Sequence, residues 1–297
     1  MQPNWQQILA NIKEGNIKSL ARCISLIENE INGYDNFLQL LPTNPTPVIG
    51  ITGPPGAGKS TLTDAFINHL ISHQKKVAVL CVDPSSPFNL GALLGDRIRM
   101  SRWYNNPNVY IRSLATRGSL GGLHPKIIEI TDVLKAAPFD YIIIETVGVG
   151  QSEIEIAGLA DCTAVVLVPE AGDEVQTMKA GLMEIADVFV VNKADRPDAN
   201  TFIKNLQQML APVFSNQNKK IEIVKTVAVR EEGIDVLASA IEYALQHNTN
   251  TKKYWLLAEK AYLLIQQKRM KDISKATIKA YLENRQIQNI YAYVAGL

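Results

Sequence analysis

Cysteine is scarce in this chain: Cys23, Cys81 and Cys162 are the three among 297 residues. An odd, widely spaced set argues against a disulfide framework, and none of the three has zinc-ligand spacing. Mostly flanked by apolar residues, they are expected to be buried free thiols in a reducing compartment. Net charge is nearly absent as well, with 30 Lys+Arg against 29 Asp+Glu. That balance gives no electrostatic reason to expect nucleic acid or an anionic membrane as the main partner. Apolar runs are short. AVVLV (164–168) and VFVV (188–191) are typical, and neither approaches the length that spans a bilayer. The N-terminus, MQPNWQQILANIKEG, lacks a basic segment leading into an apolar core, so no signal peptide is expected and the expected location is cytoplasmic. Internal repeats and low-complexity tracts are missing too.

What is present describes a globular protein, 46% hydrophobic and 20% charged. The length suits one large α/β domain with helical additions. Residues 5–41 read as helix, with Ile8, Leu9 and Ile12, then Leu20, Ile24, Ile27 and Ile31, recurring at helical spacing. The segment LPTNPTP (41–47) breaks the pattern with three prolines. Seven short β-branched runs follow: VIGIT, VAVLCVD, VYIRS, YIIIET, AVVLVP, VFVVNK and IEIVKT. They are continuous rather than alternating, as parallel strands covered on both faces should be. Helical stretches such as 59–74, 124–136 and 198–211 separate most of them, which predicts a doubly wound, mostly parallel α/β sheet. Beyond about residue 246 two further helices are expected, over 252–270 and 274–285. Trp255, Leu256, Ala258, Tyr262 and Ile265 give the first a broad apolar face. The expected organisation is a helical extension (1–45), a nucleotide domain (46–246) and a C-terminal helical arm (247–297).

Residues 53–60, GPPGAGKS, fit the phosphate-loop pattern G-x-x-x-x-G-K-[ST]. Glycines at 53, 56 and 58 let backbone N–H groups turn inward around an anion where a Cβ would obstruct. Pro54, Pro55, Ala57 and Thr61 complete the expected phosphate cradle. Lys59 is expected on the β- and γ-phosphates, and Ser60 on Mg²⁺. The helix that follows aims its N-terminus at the anion.

Two carboxylates end buried runs nearby. Asp83 closes VAVLCVD, and Glu145 closes YIIIET in the position where a carboxylate holds the metal or a metal-bound water. Glu145-Thr-Val-Gly148 has the spacing of the D-x-x-G loop of GTPases, in which the glycine N–H senses the γ-phosphate. Gln151 either orients the attacking water or is a solvated loop residue. Arg97 is a possible cis arginine finger, though a surface ion-pairing role fits it better. With no strong base or arginine finger evident, slow intrinsic turnover is expected.

Asn192-Lys193-Ala-Asp195 follows the run VFVV and matches the guanine motif N-K-x-D. A carboxylate at 195 accepts hydrogen bonds from guanine N1–H and the 2-amino group, an arrangement adenine lacks. Thr226-Val227-Ala228, after IEIVK, is a second expected base-contact loop. The expected bound species are GTP or GDP with Mg²⁺.

The combination of VDPSS (82–86), LLGDRIRM (93–100), GSLGGL (118–123), ETVGVGQSE (145–153) and NKAD (192–195) resembles the MeaB/ArgK family of P-loop GTPases. The resemblance spans about residues 20–245. It implies a GTPase of the signal-recognition-particle and MinD-like class that works as a homodimer. It also implies an adenosylcobalamin-dependent acyl-CoA mutase as partner, whose cofactor delivery such proteins gate, and which they protect or reactivate. Carried over by motif, Lys59 and Ser60 hold phosphate and Mg²⁺, Asp83 and Glu145 complete the metal site, and Asp195 reads guanine. Loops near 83–102, 145–156 and 170–183 are the implied switches, with Lys179 a candidate contact to nucleotide or mutase. Two alternatives stand beside this: a transport-linked phosphotransferase, and a nickel-insertion GTPase. The latter usually carries Cys/His clusters, which the scattered histidines 69, 73, 124 and 247 do not form.

Overall fold

The computed structural model describes residues 3–83, 100–116, 123–146, 156–169, 183, 185–217, 221–247, 250–270, 272–285 and 289–295. Two compact units emerge, residues 1–250 and 251–297.

In the first unit each of the seven apolar runs forms a strand: β1 (Val48–Thr52), β2 (Val77–Asp83), β3 (Val109–Ala115), β4 (Tyr141–Thr146), β5 (Cys162–Leu167), β6 (Val188–Val191) and β7 (Glu222–Lys225). They pair in parallel in the order β3-β2-β4-β1-β5-β6-β7. Strands β1, β5 and β6 are buried at every position, as β-branched runs covered on both faces require. The edge strands β3 and β7 are buried at only some positions, and Lys225 of β7 is exposed, because each has a neighbour on one side alone. The core holds Ile49, Ile51, Phe66, Val79, Ile143, Val165, Phe189 and Leu206, with helices α4 (Lys59–Ser72), α6 (Ala199–Gln217) and α7 (Ile234–His247) supplying its covering faces. Helix α7 packs against α4, β5, β6 and β7. The order places β1 between β4 and β5: β5, β6 and β7 are added outward on one side, while on the other β4 inserts between β1 and the earlier β2. In open α/β sheets the crevice at such a reversal point, beyond the carboxyl ends of the strands, is where ligands bind.

The single helix expected over 5–41 is three: α1 (Trp5–Lys13), α2 (Ile17–Glu28) and α3 (Tyr34–Leu38). Gly15 takes a left-handed φ of 82°, and the Asn16 side chain then accepts from Ser19 N–H to cap a new helix. Ile8, Leu9, Ile12, Leu20, Ile24 and Ile27 are buried as the pattern requires, but Ile31 lies past the end of α2 and is exposed. These helices rest on the β3 edge and on α5 (Ile127–Lys135). Arg112 of β3 pairs with Glu28 and donates to Ser25 Oγ, while Lys126 meets Glu30 at 2.9 Å and Glu129 at 3.3 Å. All three cysteines are buried thiols outside any disulfide, and burial pushes the Cys23 thiol up to about 12.

The second unit carries most of α8 (Asn250–Arg269), then α9 (Lys275–Arg285) and α10 (Ile290–Ala295). Tyr281 and Tyr293 join α9 to α10 with ring centroids 5.0 Å apart. Tyr262, Ile265 and Leu257 of α8 are exposed, whereas the side chains of Trp255 and Leu256 lie outside the described residues. Among the described residues no helix is long and apolar enough to cross a membrane.

Candidate functional site

The glycine-rich segment leaves β1 at Thr52 and enters α4 at Lys59, at the reversal point of the sheet. Two of its glycines are sterically obligatory. A Cβ at Gly53, whose φ is 140°, would stand 2.1 Å from the Val166 carbonyl oxygen of β5. One at Gly58 (φ 85°) would stand 2.5 Å from Asn192 Nδ2. The first obstacle is backbone, and the second is a side-chain amide pinned by its bonds to Ala57, Thr226 and Ala228. Gly53→Ala should therefore lower unfolding stability by roughly 2–4 kcal/mol, through a backbone clash added to a disfavoured φ. Urea unfolding monitored by circular dichroism checks this, and wild-type stability in the variant would refute the packing described.

Lys59 is buried, and its Nζ donates to Gly53 O at 2.8 Å and to Pro54 O at 2.9 Å. The ammonium is thus drawn back over the start of its own loop. Pro55 and Gly56 are exposed, Ala57 is buried, and Thr61 is exposed on the first turn of α4.

Beside the loop, Ser60 Oγ donates to Glu145 Oε1 at 2.6 Å. The sheet register explains the meeting: Glu145 pairs with Ile51 of β1, one residue short of the strand end that launches the loop. Thr146 Oγ1 donates to Thr52 Oγ1 at 2.9 Å, and this buried contact locks the two strand ends together. Asp83 is the last residue of β2, in register with Ala115, and its side chain lies outside the described residues. So do Gly148, Gln151, Arg97, Lys179 and most of the three implied switch loops.

On the other flank, Asn192 ties three segments together. Its Nδ2 donates to Ala57 O at 3.0 Å, and its Oδ1 accepts from Thr226 Oγ1 at 3.1 Å and from Ala228 N–H at 3.2 Å. Asn192 is buried, so both ends of its amide serve the protein. Lys193 has a φ of 55° and reaches back to donate to Gly56 O at 3.0 Å. Asp195 stands at the rim, its side chain 42% exposed, with Arg230 Nη2 3.6 Å away. The Thr226–Gly233 loop closes on itself through paired Val227 and Glu232 backbones. The structure therefore gathers the phosphate-loop residues, Glu145, Asn192, Lys193, Asp195 and Thr226–Ala228 around one reversal point. Sequence reasoning missed Arg230 beside Asp195, and the threonine pair at 52 and 146. No local pattern marks a partner that comes from another strand.

The sequence profile of the family described as methylmalonyl-CoA mutase-associated GTPase MeaB matches residues 20–284. A relative from Pyrococcus abyssi that bears a GTPase name is 46% identical over 241 residues, covering 80% of this chain and 74% of that one. The fused isobutyryl-CoA mutase of Geobacillus kaustophilus is 36% identical over 235 residues, 74% of this chain and 22% of its own length. Among solved structures, one described as an LAO/AO transport system kinase superposes with a TM-score of 0.70 at 24% identity, covering 98% of this chain and 95% of that one. That last likeness speaks to the fold alone.

Proposed function

We propose, for a chain that belongs to the MeaB family of methylmalonyl-CoA mutase-associated GTPases, that its nucleotide cycle gates cofactor delivery to an adenosylcobalamin-dependent acyl-CoA mutase and protects or reactivates that enzyme. As a GTPase, the chain converts GTP and water to GDP and phosphate. The mutase assignment rests on one observation: a homologous segment occurs inside a protein named as a fused isobutyryl-CoA mutase. Methylmalonyl-CoA mutase is the client that the family's description favours.

In this reading the loop from Gly53 to Thr61 cradles the phosphates with backbone N–H groups, and Lys59 moves from its loop carbonyls to the β- and γ-phosphates. Ser60 and Glu145 meet at 2.6 Å, and this hard, all-oxygen pair fits Mg²⁺, which takes one or two carboxylates along with substrate phosphates. Asp83 is the further carboxylate proposed for the ion. When bound, Mg²⁺ neutralises phosphate charge. Gly148 reports the γ-phosphate and Gln151 orients water. Asp195 reads the guanine edge, and the Thr226–Ala228 loop is the second segment beside the base. A homodimeric, cytoplasmic protein with slow intrinsic turnover, accelerated by the mutase, completes the proposal. The nickel-insertion alternative calls for a ligand cluster. Among the described residues no group of three or more His, Cys, Asp or Glu could hold a metal ion.

The test is affinity capture of the tagged chain from its native lysate, loaded with GDP or with a non-hydrolysable GTP analogue. Recovery of a cobalamin-dependent mutase that differs between the two nucleotide states is the expected result. Recovery of no mutase in either state, with GTP binding confirmed, would overturn the chaperone role.

A further inference from the structure

Helix α4 begins at the phosphate loop, and two of its side chains one turn apart hold elements of another part of the site. Asn68 Nδ2 donates to both carboxylate oxygens of Glu231, at 3.0 and 2.8 Å. Asp64 Oδ1 accepts from Trp103 Nε1 at 2.7 Å and from Arg102 Nε at 3.0 Å, and Arg102 Nη2 lies 2.8 Å from Asp64 Oδ2. The Arg102 guanidinium sits over the Trp103 ring, 4.6 Å from its centroid, and its Nη2 reaches within 3.8 Å of Glu231 Oε1. Arg102 is thus tied to the phosphate-loop helix and to Glu231.

Glu231 is the keystone of this group. It stands at the end of the short 3-10 turn Ala228–Arg230, with a left-handed φ of 58° that non-glycine residues seldom adopt. Such a conformation persists when its surroundings over-determine it. Here the surroundings are the Asn68 amide, the Arg102 guanidinium, and the Val227–Glu232 backbone pair that closes the loop. The loop so fixed is anchored on its far side by Ala228 N–H, which donates to Asn192 Oδ1.

We propose that Asn68 and Glu231, backed by Asp64 and Arg102, are positioning residues for guanine: they touch no nucleotide and fix the base loop relative to the phosphate loop through the shared helix α4. The proposal rests on reading Thr226–Ala228 as the base-contact loop. One rigid helix then sets the span between the two ends of a guanine nucleotide. Releasing the loop from that helix weakens binding of the base and leaves the phosphate chemistry as it was.

The experiment measures GDP affinity by fluorescence titration, the single-turnover rate of bound GTP, and the melting temperature. Asn68→Ala should weaken GDP binding about 3- to 10-fold, as expected for a half-exposed polar contact acting through one loop. The single-turnover rate should stay within about twofold of wild type, and the melting temperature within about 2 °C. Glu231→Ala should match it, the double variant should be no worse than either single one, and Glu231→Gln, which keeps an acceptor for Asn68, should recover most of the affinity. Unchanged GDP affinity in Asn68→Ala would overturn the proposal, as would a parallel fall of rate, affinity and melting temperature. Asp195→Asn serves as the control. If it shifts base preference while Asn68→Ala does nothing, the positioning role alone fails. If neither responds, the base-site reading fails with it.

Discussion

Lys59→Ala is expected to reduce GTP turnover by on the order of 10³-fold or more, with the fold intact by circular dichroism. The size follows from where the charge sits. Lys59 is 6% exposed, and its ammonium is held at the start of the phosphate loop by the carbonyls of Gly53 and Pro54. In so enclosed a place a positive charge is poorly screened by water, so its attraction for a phosphoryl group gaining negative charge far exceeds that of a surface lysine. Removing it leaves two loop carbonyls without that donor, a loss of about 1 kcal/mol apiece that should lower the melting temperature modestly. Lys59→Arg should not rescue turnover, because a planar fork cannot occupy the space of a compact ammonium. Phosphate release with saturating GTP and Mg²⁺ checks both variants. Retained turnover in Lys59→Ala would remove the phosphate-site reading.

The phosphate and guanine segments were legible because each is a contiguous stretch whose backbone needs particular residues. Gly53 and Gly58 are glycine since Val166 O and Asn192 Nδ2 leave no room for a Cβ, and a motif search finds that necessity without the neighbours. The strands were legible for a similar reason: burial on both faces demands unbroken apolar runs. Their spatial order was not, because strand neighbours are chosen by crossovers and not by local composition. The helix expected over 5–41 failed at Gly15-Asn16, where a left-handed glycine and a capping asparagine stop one helix and start the next. Helix α7 went unread although Ile234, Leu237, Ala238 and Ile241 carry its buried face at helical spacing. What the sequence hides most completely is pairing at a distance. Asn192 meets Ala57 across 135 residues, and Asn68 meets Glu231 across 163. Either asparagine alone is an ordinary polar residue. Only the assembled sheet makes one a brace between loops and the other a hold on the base loop.

Asp195→Asn carries the second large effect, a change of base preference. A carboxylate offers two acceptors, which match guanine N1–H and the 2-amino group. An amide keeps one acceptor and turns the other into a donor, which matches xanthine, where a carbonyl replaces the amino group. GTP affinity should fall and xanthosine triphosphate affinity should rise, so that their ratio shifts by roughly 10²- to 10³-fold. A fully buried reader would give more, on the order of 10⁴-fold. The smaller figure reflects a side chain that is 42% exposed, where water softens each mismatch. Arg230 sharpens the expectation. Its Nη2 lies 3.6 Å from the Asp195 carboxylate and its Nε 2.8 Å from Glu232, so an incoming guanine displaces a guanidinium that retains a second partner. In Asp195→Asn that competition loses its charge, and xanthosine nucleotide meets a neutral rim. Competition titrations with GDP and xanthosine diphosphate against a fluorescent guanine nucleotide read the ratio directly. An unchanged ratio would mean that the base is read elsewhere, and Asn192 and Lys193 would then be left with the structural work already visible, bracing the phosphate loop at Ala57 and Gly56.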